Sequence, residues 1–154
     1  MTSFLIACSA WLHSLATVVF IGHFVLLAVI YMPALETGGG AVISAISKRS
    51  RSWLYGSLVV FAITGGYLML VNPAYLGLGN FGNLWSIAML AKHVVVLVMI
   101  GIGFWYNAML RVGPMTASNS GGAQAIANFR RYVNWMAACG VLVLLLTALA
   151  QAQP

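Results

Sequence analysis

Acidic residues are almost missing from this chain: Glu36 stands alone among 154 residues, against seven lysines and arginines and three histidines. Paired-carboxylate catalysis is therefore excluded, since it needs two such groups facing one substrate. Cysteine is nearly as scarce. Cys8 and Cys139 lie in different apolar runs without CxxC spacing, and read as small buried hydrophobes, not as a disulfide or zinc framework. There is no nucleophile-base arrangement and no phosphate-binding glycine loop. Charged residues of either sign make up only 5% of the chain, and without a long polar block these residues leave no room for a soluble catalytic domain.

What is present is hydrocarbon. Hydrophobic residues form 62% of the chain and the mean hydropathy is +0.99, far from the balance of a soluble domain. This composition implies an integral membrane protein, and one crossing takes about 20 apolar residues. The net charge of +6 would suggest nucleic acid in a soluble protein. Here the bases flank apolar runs, so they read as topology signals and lipid-headgroup contacts, and nucleic acid is not an expected partner.

Four apolar runs predict helices over about 4–32, 53–71, 84–110 and 132–152. The first has no charge before it and is too long for a secretory signal, which predicts a retained first helix. Pro33 is expected to end it, because proline disfavours helix in the residue before it. Residues 34–52 hold Gly38-Gly39-Gly40, then Lys48, Arg49 and Arg51: a flexible break and a basic approach to the second helix. The uncharged, Gly- and Asn-rich piece 74–83 is flanked by Tyr75 and Trp85, residues suited to a membrane interface. A polar loop over 113–128, containing Ser118-Asn119-Ser120-Gly121-Gly122, precedes Arg130-Arg131 and the fourth run.

Every basic residue except Lys92 lies in or beside the first and third loops, and the positive-inside rule puts those loops in the cytoplasm. The expected fold is an all-α integral membrane four-helix bundle, up-down-up-down, a single domain over residues 1–154 with both termini on the outer side.

All three histidines, His13, His23 and His93, fall inside apolar runs, and Lys92 precedes His93 directly. Ionisable side chains at membrane depth are costly and mark candidate functional sites. His13 and His93 each lie nine residues from the outer start of their helices, at Phe4 and Leu84, so both sit roughly 13 Å deep. Gly65 and Gly66 reach a similar level on the second helix, where they leave a gap that would suit a flat cofactor or, equally, close helix packing. On diagonal helices the two histidine-bearing axes would stand about 14 Å apart, given neighbour spacings near 10 Å. That separation suits two imidazoles on opposite faces of a porphyrin iron better than one bare copper ion, whose bonds to nitrogen are about 2 Å long. The competing reading for each histidine is a hydrogen bond to a carbonyl or to a hydroxyl such as Ser9, Ser14 or Thr17. Lys92 either meets a haem propionate or snorkels to the headgroups. His23, about 15 Å deeper than His13, matches no other histidine and reads first as a polar contact, second as another metal ligand. Met69, Met89, Met99, Met109 and Met136 offer soft copper ligands or core filling, with no MxxM pairing to decide.

Trp11-Leu12-His13, Gly22, Pro33, Thr64-Gly65-Gly66, Ala91-Lys92 and Arg130-Arg131-Tyr132-Val133-Asn134 together resemble the four-helix module of the CopD copper-resistance family and, more distantly, the HemJ-type protoporphyrinogen oxidases. HemJ-type sequences carry a histidine two residues before the lysine, where this chain has Leu90, and a charged residue after the proline, where it has Ala34. The resemblance covers nearly the whole chain. It implies a multi-pass protein of the bacterial inner membrane that handles copper or haem b, with His13 and Lys92 at positions on which those families rely.

The expectation is thus a haem b protein with iron between His13 and His93, acting as an electron-transfer or redox subunit and not as a self-sufficient enzyme. A copper-handling protein is the alternative, and a structural subunit of a larger membrane complex a third reading. The expected partners are the bilayer, other membrane or redox subunits or a second copy of the chain, and quinone.

Overall fold

A computed structural model describes residues 2–35, 40–77, 82–112 and 121–152. They form α1 (Thr2–Leu26), a π-helical turn (Leu27–Tyr31), α2 (Met32–Leu35), α3 (Gly40–Val71), α4 (Leu84–Val112) and α5 (Gly121–Gln151). α1, the π turn and α2 are one continuous rod. A chain this apolar satisfies its backbone polar groups internally, and helices do so within each segment. Four stretches are long and apolar enough to cross a bilayer: Ser3–Tyr31, Ser50–Val71, Leu84–Trp105 and Ala127–Gln151. The protein is a multi-pass membrane four-helix bundle. Val18, Ile63, Leu97 and Val141 are each more than half exposed (68%, 68%, 66% and 56%) and belong to the lipid-facing surface. In water such faces would form aggregation-prone patches.

Pro33 does not end the first helix. The rod continues through it to Leu35, and the preceding turn widens to π geometry, with the Met32 N–H reaching the Leu27 carbonyl. Proline lacks the N–H that an α-helix would use at that point, and a π turn is a common way to absorb the defect. The basic stretches are also more helical than expected. Lys48, Arg49 and Arg51 lie on α3 and Arg130 and Arg131 on α5, not in loops. Gly38, Gly39, residues 78–81 and residues 118–120 lie outside the described residues.

Between α3 and α4 two asparagines organise the chain. Asn72 accepts the Ala74 N–H on Oδ1 at 2.8 Å, and Asn83 caps α4 by accepting the Ser86 N–H at 2.7 Å while donating to the Ala74 carbonyl at 3.1 Å. Gly77 has φ +100, a backbone conformation open mainly to glycine. Trp85, expected at the lipid interface, is instead buried, at the centre of a cluster with Ala88 and Ala150.

α1 packs on α3 on one side and on α5 on the other, and α5 packs on α4. α3 and α4, although consecutive, make no substantial contact. α1 and α4 are therefore diagonal. The α1–α5 approach is tight: a Cβ at Gly140 would lie 2.7 Å from Ile21 Cγ2. The main core, around Phe20, Ile21, Phe24, Met99, Met136 and Val143, fills the middle of the bundle.

Two outcomes are expected. In a cysteine-free background, an impermeant maleimide applied from outside should label Gly79→Cys and miss Ser120→Cys; external labelling at 120 would invert the topology. Gly140→Val should overpack the α1–α5 contact and lower stability by about 1–3 kcal/mol in detergent unfolding. Ile21→Ala in the same chain should restore part of the loss, and a purely additive double mutant would show that the two residues do not meet.

Candidate functional site

The α3–α4 separation leaves a cavity of about 410 Å³ in the outer half of the bundle, lined by His13 from α1, Gly65 and Gly66 from α3, Lys92 and His93 from α4, and Gln151 from α5. Lys92 and His93 both lie close enough to His13 to act on it electrostatically. His23 is elsewhere, in a second cavity of about 120 Å³ nearer the cytoplasmic end.

His13 is held from α3, not by the hydroxyls of its own helix. Ser14 donates to the Ala10 carbonyl at 2.9 Å and Thr17 to the His13 carbonyl at 2.7 Å, so both are turned to the α1 backbone. The imidazole Nδ1 lies 3.0 Å from Thr64 Oγ1, and the Thr64 hydroxyl donates to the Val60 carbonyl at 2.6 Å. With its proton committed to Val60, Thr64 accepts from His13, which makes Nδ1 the protonated nitrogen and leaves the Nε2 lone pair free. The ring stacks on Phe61, with centroids 4.5 Å apart at 26°.

Gly65 serves this seat directly, since a Cβ there would come within 3.0 Å of His13 Cε1. The gap at Gly65 is thus filled by the imidazole itself. Gly66, whose Cβ would meet nothing within 4 Å, leaves open space on the cavity wall.

His93 reaches the same tautomer by a different route. Its Nδ1 lies 2.6 Å from the Met89 carbonyl, which can only accept, so Nδ1 donates and Nε2 is again unprotonated. A ring nitrogen anchored to a carbonyl or hydroxyl while the other is bare is the arrangement in which histidine serves as a metal ligand. Among the described residues no group of three His, Cys, Asp or Glu side chains could hold a metal ion. Among the described residues the cavity offers two imidazoles and no thiolate or carboxylate.

Lys92 is the most unusual residue of the site. Only 8% of it is exposed, so it does not spread over the lipid-facing surface. The other buried polar side chains, Ser57 and Thr64, donate to backbone carbonyls of their own helix, at 2.9 Å and 2.6 Å. Lys92 has neither a hydrogen bond nor an ion pair among the described residues. The chain's single carboxylate, Glu36, follows the opposite end of the first rod in sequence. A buried ammonium is expensive unless an anion meets it, and no Asp or Glu lies among the described residues.

Several residues escaped the sequence analysis in these roles: Phe61, Asn72, Thr147 and Gln151 in the cavity wall, and Thr64 behind His13. Phe61, Thr64, Gly65, Met69 and Asn72 follow helical spacing on α3, the stripe that would face His13. Asn72 and Gln151 form a polar rim at the outer end.

No family model, curated protein or solved structure matches the chain.

Thr64→Val keeps the shape of the His13 seat but removes the hydroxyl that accepts from Nδ1–H, leaving the Phe61 backbone carbonyl as the ring's remaining partner. It should lower stability by about 1–3 kcal/mol in detergent unfolding. Thr64→Ser should retain most of it. Equal losses from the two variants would show that packing of the methyl group, not the hydrogen bond, matters at position 64.

Proposed function

We propose that the outer cavity binds haem b, with His13 and His93 as axial ligands, and that the protein is an electron-transfer or redox subunit of a bacterial inner-membrane complex. The observation that carries this reading is the donor set: two imidazoles from diagonal helices, each with Nδ1 anchored, and no group of three His, Cys, Asp or Glu side chains among the described residues. Haem iron asks the protein only for axial ligands, because the macrocycle supplies the remaining four nitrogens. A bare metal ion would ask for more.

The other features fit the same group. A cavity of about 410 Å³ lies within the range of about 300–1,000 Å³ in which pockets hold sizeable organic ligands. Haem carries propionates, and Lys92 is a buried cation lacking an anion. Gly66 keeps the wall low, and the polar rim faces the aqueous side where propionates would emerge. Bound there, haem would supply one-electron redox chemistry. The chain itself holds the two imidazoles in the ligating tautomer, excludes water with Phe61 and Trp85, and provides the countercharge. The resemblance to CopD-like proteins supports the bacterial inner membrane, and the basic residues gathered toward one end of the helices agree with the positive-inside rule.

One observation favours a second reading, Cu(I) handling of the CopD type: Met69 and Met89 line the same cavity as the two histidines and would bring soft thioethers. Optical spectra of the purified protein separate the two. Under the haem reading, His13→Ala and His93→Ala each abolish the same reduced α-band, and His23→Ala leaves it largely intact. Colourless protein that retains stoichiometric copper would transfer the site to copper.

Lys92 gives a signed test. An ammonium beside the haem disfavours the more positive oxidised iron, so Lys92→Met should lower the midpoint potential by a local Coulomb effect in a weakly screened site. A redox titration showing full haem occupancy and an unshifted potential would remove the propionate role from Lys92.

A further inference from the structure

The second cavity is used by nothing above. It lies on the cytoplasmic side of the first, along the same α3–α4 seam. On α3 the lining passes from Phe61 to Leu58, and on α4 from Val96 to Met99. The partition is therefore a single helical turn, about 4.5 Å of rise. We propose that this lower cavity binds the head ring of a lipid-soluble quinone, admitted from the bilayer through the seam.

Size selects the ligand first. A volume of about 120 Å³ is close to the engineered apolar cavity of about 150 Å³ that takes one benzene ring. It accepts one six-membered ring and is too small for a second macrocycle. The walls select a flat, conjugated ring: Phe20, Phe24, Phe129 and Tyr132 line the space, and Tyr55 and Phe104 stand at its edge. Polar groups then select an acceptor. His23 makes no hydrogen bond among the described residues, its ring meeting only the edge of Phe24 at 5.5 Å and 75°. Arg51 is the cation in the lining, and no carboxylate is present there. The His23 imidazole N–H, with no acceptor among the described residues, and the exposed Arg51 guanidinium are donors, and the carbonyls of a quinone supply acceptors at opposite edges of one ring.

Access selects a lipid-soluble molecule. α3 and α4 do not pack together, and the seam is bridged by Tyr55 and Phe104, with centroids 6.5 Å apart at 42° and with 43% and 57% of the residues exposed. A ring entering between them would leave an isoprenoid tail in the hydrocarbon. This inference concerns binding alone and stands whatever fills the outer cavity.

The test uses the full chain in nanodiscs of neutral lipid, titrated with decylubiquinone. Saturable one-to-one binding is expected. His23→Leu, which removes the donor, should weaken it by about tenfold, the equivalent of one good hydrogen bond. His23→Gln, which keeps an N–H donor, should restore part of the affinity, and Leu97→Ala, on the lipid-facing surface, should leave it unchanged. Gly103→Leu should also block binding, because Gly103 lines the cavity and its Cβ would already stand 3.7 Å from Tyr132 Oη. Binding that is absent, or that is unaltered in both His23→Leu and Gly103→Leu, overturns the proposal. So does competitive displacement by phosphatidylglycerol with loss only in Arg51→Gln, which would make this an anionic lipid site.

Discussion

Everything in this bundle depends on how α1 is gripped. Lipid tails are as apolar as leucine, so burial of hydrocarbon does little to bring helices together in a membrane, and close packing and interhelical hydrogen bonds take over. α1 has one such contact on each side. Toward α5, Ile21 presses against Gly140. Toward α3, His13 fills the space above Gly65 and donates to Thr64. The same bond that holds α3 against α1 also sets the tautomer of a candidate ligand, so helix association and site chemistry are coupled through one threonine.

The open side of the bundle is the counterpart of that grip. Consecutive elements usually pack against each other, yet α3 and α4 are held apart, their connection tied by Asn72 and Asn83 at the outer surface. Aromatic rings line the gap: Phe61 and Trp85 in the outer cavity, Tyr55 and Phe104 across the seam further in. A bundle closed on all four sides would have no interior space at the level of the histidines. Separation of these two helices creates both cavities and gives them a common lipid-facing edge.

Charge is distributed with equal economy. The arginines and Lys48 cluster toward one end of the bundle's helices, where headgroups and water can solvate them. Lys92 is buried in the interior, beside two imidazoles and with no carboxylate side chain among the described residues. Such an arrangement is destabilising for the isolated chain and is relieved by an anionic ligand, which is why this residue bears so directly on what the outer cavity receives.

Much of the architecture was legible in the residues. Lengths of apolar runs specify four crossings, because hydrocarbon thickness is constant and the α-helical rise is fixed. The same arithmetic sets His13 and His93 at one depth. Local rules misjudged Pro33, since a widened turn absorbs the missing N–H at little expense, and Trp85, whose side of the helix no periodicity could reveal in a run apolar all round. What only the tertiary structure decided is which helices touch. It put Thr64 under His13, let the His13 ring occupy the space above Gly65, buried Lys92 with no partner among the described residues, and gave His23 a cavity of its own. The physical reason is that depth along a helix follows from counting residues, whereas direction around it depends on neighbours, and neighbours are chosen by side-chain contacts far apart in the chain.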